Sequence, residues 1–281
     1  MNVIPENICA LKKDFAKLYK GHKHMQELLP VTKTDFLPVN KDHLTSLSKF
    51  IENNPIYDNA FEMELCGIKC NIYEGDLNQY WIDSLKHDTS YAPFYPTWLL
   101  SAYTLALKAK QLGFTNLIDI GSGDGRIAFC GKILGIDSIS IEIDEQLTNL
   151  QNNIIQKTGF HFKTINADAT QIKFTDMKLE RPIFFIGGVP QNGEMLAESI
   201  IKNVLTVPEL EKVSCFVLTG TLTKEKFLKN KSNYGWGTTV KKFHLVETET
   251  IILPTYWTMD QPFETPSVSY THLTLPTIYS V

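Results

Sequence analysis

The clearest run of apolar and polar positions in the chain lies between Asn116 and Asp144. Leu117, Ile118 and Ile120 make an apolar run of strand length. Ile127, Ala128, Ile133 and Leu134 then recur at helical spacing, and 138–143 is a second strand-like run ending beside the acids Glu142 and Asp144. The stretch predicts one strand–helix–strand unit. Downstream, the pattern predicts a helix over 145–157 and strands over 160–166, 181–186 and 213–219, then a helix over 221–229. Residues 239–247 and 250–257 read as an antiparallel strand pair.

Upstream, Leu11, Phe15 and Leu18 form the apolar stripe of a helix whose other face carries Lys13, Lys17 and Lys20. A second helix is expected over 41–52. Residues 60–73 alternate around Cys66-Gly67 and predict a β-hairpin. Pro93 and Pro96 stiffen the aromatic segment 91–97, and Pro96 suits the first turn of a helix over 97–111 that Gly113 stops.

Chemistry enters at Gly121, Gly123 and Gly125, between the first strand and the helix of the central unit. Glycine tolerates positive φ and lets a ligand reach the main chain. The helix start offers free N–H groups to an anion. Glu142, 19 residues beyond Gly123, stands where a strand-end acid accepts hydrogen bonds from a ribose diol. The unit therefore reads as a nucleoside-binding site. A dinucleotide fingerprint, G-x-G-x-x-G, would need a third glycine where Arg126 stands.

The run Asp119-Ile120-Gly121-Ser122-Gly123-Asp124-Gly125 instead resembles motif I of the class I S-adenosylmethionine-dependent methyltransferases. Tyr91, Pro93, Pro96 and Thr97 are similar to a loop of the archaeal-type lysine methyltransferases and, more distantly, of the Dot1-like group. The resemblance spans about 91–262. It implies an α/β fold with a Rossmann-like, seven-stranded, doubly wound sheet, in which 239–247 and 250–257 are the sixth and seventh strands. The expected division is an N-terminal α+β extension (1–90), a methyltransferase domain (91–264) and a tail (265–281). The tail lacks Asp, Glu, Lys and Arg and reads as disordered or foreign sequence.

The resemblance also implies the cofactor, S-adenosyl-L-methionine, and its contacts. Gly121, Ser122, Gly123 and Gly125 would hold the methionine and ribose, and Asp119 would brace the loop or meet the ammonium. Glu142 and Ile143 would hold the ribose end, and Asp168 and Ala169 the adenine. Tyr91 and Thr97 would close the site from the proline-rich loop, with Tyr95, Gln191 and Asn192 facing the acceptor. No general base is assigned. Family members that methylate DNA amino groups or glutamine carry Asn/Asp-Pro-Pro-Tyr/Phe after the fourth strand. This chain has Gly187-Gly188-Val189-Pro190-Gln191-Asn192, which counts against those acceptors. The similarity to the lysine methyltransferases implies a protein acceptor, a lysine first. A nucleic acid, a small molecule, or binding without catalysis are the alternatives.

Composition narrows the setting. A net charge of −4 gives no general pull toward nucleic acid, although 224–242 carries six lysines, interleaved with Tyr234 and Trp236. The five cysteines are scattered, which predicts reduced thiols. Cys66 and Cys70 have no second Cys/His pair at metal-binding spacing, so no metal is expected. No secretory leader and no membrane span is expected, and the chain is assigned to the cytoplasm.

Overall fold

A computed structural model describes residues 3–77, 80, 94–187, 190–220, 223–231, 235–255 and 263–272. Helix α1 (Val3–Leu18), strand β1 (Met25–Pro30) and helix α2 (Lys41–Glu52) come first, then strands β2 (Tyr57–Leu65) and β3 (Ile68–Gly75). Helix α3 (Leu99–Gln111) leads to β4 (Asn116–Ile120), α4 (Arg126–Ile133), β5 (Asp137–Glu142), α5 (Glu145–Thr158) and β6 (Lys163–Asn166). The remainder is β7 (Pro182–Ile186), α6 (Pro190–Leu205), α7 (Pro208–Glu211), β8 (Cys215–Thr219), α8 (Lys224–Lys229), α9 (Gly237–Lys242), β9 (Val246–Leu253) and β10 (Thr265–Thr271).

The predicted hairpin is β2 and β3, joined at Cys66 (φ 49°) and Gly67 (φ 74°). Two left-handed residues in a two-residue loop match the twist of the flanking strands. Strand β1 adds antiparallel to β3, giving a three-stranded sheet in the order β1-β3-β2. All six β1 residues are buried, so they show no alternation from which a strand could be read.

The second sheet has seven strands in the order β6-β5-β4-β7-β8-β10-β9. Strands β4 to β8 run parallel, and β10 is antiparallel to both β8 and β9. This is the doubly wound sheet that the motif implied. Side chains alternate across it with the strand period of two. Ile118, Ile120, Phe184 and Ile186 face a core closed by Ala197, Ile200, Ile201 and Val204 of α6. Leu117, Ile183 and Phe185 face the other core, which they share with α3, α4 and α5.

That second core also contains Ile8, Leu11 and Phe15 of α1, Leu44 and Phe50 of α2, and Leu28 and Ile72 of the small sheet. The N-terminal region is thus packed into the same apolar core as the large sheet.

The C-terminal edge corrects the sequence reading in two places. Residues 237–242 are helix α9, not strand, and the outer strand begins at Val246, after a left-handed His244 (φ 51°). Its partner is β10, taken from the stretch expected to lie outside the fold. All seven residues of β10 are buried. A strand covered on both faces has no place for a charge, so the absence of charge in 265–271 marks an inner strand rather than a disordered tail. Pro266 pairs only toward β9, one residue before pairing with β8 starts at Ser267. Residues 273–281 lie outside the described residues.

Candidate cofactor site

The glycine loop joins the C-terminal end of β4 to α4, near the centre of the large sheet. Asp119 points to the α4 side, where Leu117 also packs. Its Oδ2 accepts from the Ala128 N–H at 3.2 Å, satisfying one of the free donors of the first helical turn. Burial pushes the Asp119 carboxyl well above its usual range, against the pull of that N–H. The bond ties the end of β4 to the first turn of α4.

Gly121 has φ +64°, is exposed, and has no other atom within 4 Å of where a Cβ would project. It offers open main chain at the strand end. Gly123 differs. A Cβ there would lie 2.3 Å from Cε2 of Phe94, so the ring of the proline-rich loop rests directly on this glycine. A Cβ on Gly125, just before α4, would lie about 3 Å from Gln151 and Phe162.

Glu142 ends β5 with 6% of its surface exposed. Its Oε2 accepts from the Gly123 N–H at 2.7 Å and its Oε1 from the Asp144 N–H at 3.0 Å. The acid therefore straps the middle of the glycine loop to the neighbouring strand end. Burial raises its pKa, the two N–H groups oppose that, and Asp144 adds to it. Each oxygen keeps a lone pair for a further donor, as a ribose diol requires. Open main chain at Gly121 beside this carboxylate fits a nucleoside cofactor.

Ser122 is turned inward. Its Oγ lies 2.7 Å from Ser140 Oγ and accepts from Gln151 Nε2 at 2.9 Å. Gln151 Nε2 also donates to the Gly123 carbonyl at 2.7 Å, and Ser140 donates to Gln151 Oε1. The Ser122 hydroxyl thus serves the loop's own support, which leaves its main chain for a ligand.

The β5 and β6 ends are tied by Asn166, whose Nδ2 donates to the Glu142 and Ile143 carbonyls at 3.0 and 3.1 Å. Ile143 is half-buried beside Glu142. Asp168 accepts from the N–H and hydroxyl of Thr170 at 2.9 and 2.7 Å, and Ala169 is buried behind it. Thr97 reaches the site through its carbonyl, as described below. Tyr95 is exposed. Gln191 and Asn192 fall in the first turn of α6, at the β7 end; their side chains, like all of Tyr91, lie outside the described residues.

Sequence reasoning used Arg126 only to exclude a dinucleotide. In the structure it is 2% exposed and makes bonds in five directions. Nε donates to Asp124 Oδ1 at 2.9 Å, and Nη2 to Asp124 Oδ2 at 2.6 Å and the Tyr57 hydroxyl at 3.3 Å. Nη1 donates to Glu27 Oε1 and to the Thr97 carbonyl, both at 2.6 Å. Glu27, fully buried, also accepts from the Leu99 N–H at the start of α3 at 3.0 Å. Asn54 Nδ2 donates to Asp124 Oδ2 at 3.0 Å. Burial pushes Glu27 up to about 7, with Arg126 opposing. Burial works against the guanidinium's charge, but Asp124, Tyr57 and Glu27 more than offset it and keep it protonated. The readable signal was an arginine opening a helix, where the dipole disfavours a cation, and a lone acid inside the apolar run of β1.

The lysine-rich C-terminal region is partly neutralised locally: Lys231 meets Glu247 at 2.8 Å, Lys242 pairs with Glu198, and Lys224 lies 3.6 Å from Glu264. All five cysteines are free thiols. Among the described residues no Cys, His, Asp and Glu group could hold a metal, and no helix is long and apolar enough to cross a membrane.

The strand order, the glycine loop and the strand-end acid resemble those of the class I S-adenosylmethionine-dependent methyltransferases. No protein-family model matches the chain. A stretch of 71 residues is 35% identical to the mouse (Mus musculus) protein-lysine methyltransferase METTL21E, covering 25% of this chain and 29% of that protein. Similar solved structures include the PH0226 protein of Pyrococcus horikoshii, at 13% identity and TM-score 0.45 over 61% of this chain and 88% of that one. Another is an O-methyltransferase from Bacillus cereus in complex with SAH, at 14% identity and TM-score 0.42 over 64% and 84%.

Proposed function

We propose that the chain is an S-adenosyl-L-methionine-dependent methyltransferase with a protein acceptor, a lysine side chain first. The observation that carries this reading is Glu142 strapped across Gly123, beside the exposed main chain of Gly121. The partial similarity to a mouse protein-lysine methyltransferase supports the acceptor. Five thiols without disulfides suit the cytoplasm.

When bound, the cofactor supplies an activated methyl group for in-line displacement. The chain's part is alignment. Glu142 and Ile143 would hold the ribose end, with Glu142 accepting from its hydroxyls, and Asp168 would accept from the adenine amino group. Gly121 gives the methionine end room at the main chain. Tyr95, exposed, is the described candidate for the acceptor side, and Thr97 would stand on the cofactor side. A lysine, with an ordinary pKa of about 10.4, must reach the site neutral, and a desolvated approach favours its neutral form.

Calorimetric titration with S-adenosylhomocysteine, with NAD as control, tests the cofactor class. Micromolar binding of the first and none of the second is expected. Glu142→Ala should weaken binding at least about tenfold, since a hydrogen bond to a charged group is lost; unchanged affinity sinks the ribose assignment. Labelled methyl transfer into a cell extract then separates the acceptors. Label in protein supports the reading, label in RNA or DNA replaces it, and binding without turnover leaves a scaffold.

A further inference from the structure

The Arg126 cluster gathers five separate chain segments, four bonded directly to one guanidinium and one through Asp124. They are β1 through Glu27, the turn after α2 through Asn54, the start of β2 through Tyr57, the α3 start through Thr97 and Leu99, and the glycine loop through Asp124. Every N–H of the guanidinium points at an acceptor within 3.3 Å. A buried ion cluster is weak evidence for stability, because apolar packing of the same volume often serves as well. What this cluster does supply is a fixed distance. The Thr97 carbonyl follows the loop whose Phe94 ring rests on Gly123, and Arg126 follows Gly125 directly. One planar fork therefore links Thr97, at the end of the proline-rich segment, to Asp124 of the glycine loop. A flexible ammonium lacks this fixed geometry.

We propose that Arg126, oriented by Glu27 of the N-terminal sheet, is a positioning residue that sets the separation between the proline-rich loop and the glycine loop and so shapes the cofactor site. This rests on the methyltransferase reading. It makes the N-terminal sheet part of the cofactor site, although none of its residues need touch the cofactor.

Two properties of Glu27 make the idea testable beyond mere folding. It is fully buried, and its pKa stands at about 7. The groups facing it are Arg126 and Cys130 from α4, Lys12 from α1 and Tyr57 from β2. The test is S-adenosylhomocysteine affinity of the full chain, measured by calorimetry across pH for wild type, Glu27→Gln and Arg126→Lys, with a thermal melt of each. Above pH 7 both variants should bind at least about tenfold more weakly than wild type, as for a lost hydrogen bond to a charged group. The ratio between Glu27→Gln and wild type should shrink toward one as pH falls below 7, because wild-type Glu27 then carries a proton too. Titration of Glu142 is common to both proteins and cancels in that ratio.

A wild type that binds no S-adenosylhomocysteine overturns the methyltransferase reading itself. A wild type that binds, with cooperatively folded variants that bind equally well at every pH, overturns the positioning role and leaves the reading intact. If both variants fail to fold, Tyr57→Phe removes one hydroxyl from the same guanidinium and decides the matter. A loss of about threefold supports the proposal, and unchanged affinity overturns it.

Discussion

The glycine loop is held on two flanks by different chemistry. On one flank Glu142, Ser122, Ser140 and Gln151 support it, and all come from the strand–helix–strand unit and the helix after it. On the other, Asp124 and Arg126 are held by Glu27, Asn54, Tyr57 and Thr97, up to 99 residues away. The first flank is mostly neutral, and hydroxyls and amides there can re-pair when one partner is lost. The second is ionic and buried, so a lost partner strands a charge. The two flanks should therefore respond to mutation on different scales.

The largest effect should come from Arg126→Met. It leaves the Glu27 and Asp124 carboxylates buried without their cation, and breaking such a cluster typically costs about 3–5 kcal/mol. Denaturant unfolding measures it. A loss under about 1 kcal/mol would mean that the carboxylates take up protons at no great cost, and that the two flanks are alike. On the neutral flank, Gln151→Leu removes the donor to the Gly123 carbonyl and to Ser122. A loss of about 1–2 kcal/mol is expected, because Ser122 and Ser140 still bond each other at 2.7 Å. A value as large as that for Arg126→Met would break the comparison.

The same division explains what could be read from the sequence. The near flank was legible because its parts recur at fixed spacing: strand, glycines, helix, strand, then an acid 19 residues after Gly123. The hairpin was legible because β2 and β3 meet at a Cys-Gly turn with only two residues in it. The far flank was not legible, since Glu27 sits in a strand buried at every position, and nothing local says that it meets Arg126. Ser122 lay in the right loop but its hydroxyl turns inward to Gln151. The last strand was misread because its chemistry, Thr, Pro, Ser and Tyr without charge, is shared by tails and by inner strands; only the neighbours β8 and β9 decide between them.

The finest contrast between the flanks is in pH. Glu27 stands at about 7, raised from 4.5 by burial. An acid raised on folding binds its proton more tightly in the folded chain. Its contribution to stability is fully present below about 4.5 and is lost as pH rises to about 7. Wild type should therefore lose stability over that window relative to Glu27→Gln, while Gln151→Leu, which alters no titrating group, should parallel wild type. Asp119 and Glu142 are also raised and slope the same way in all three proteins, so the comparison is of differences between unfolding curves taken at each pH. Cofactor affinity should rise over the window in which stability falls, because ionised Glu27 both orients Arg126 and carries the cost of burial. Parallel curves for wild type and Glu27→Gln would mean that Arg126 keeps Glu27 ionised throughout, making the far flank a fixed ion pair with no pH response of its own.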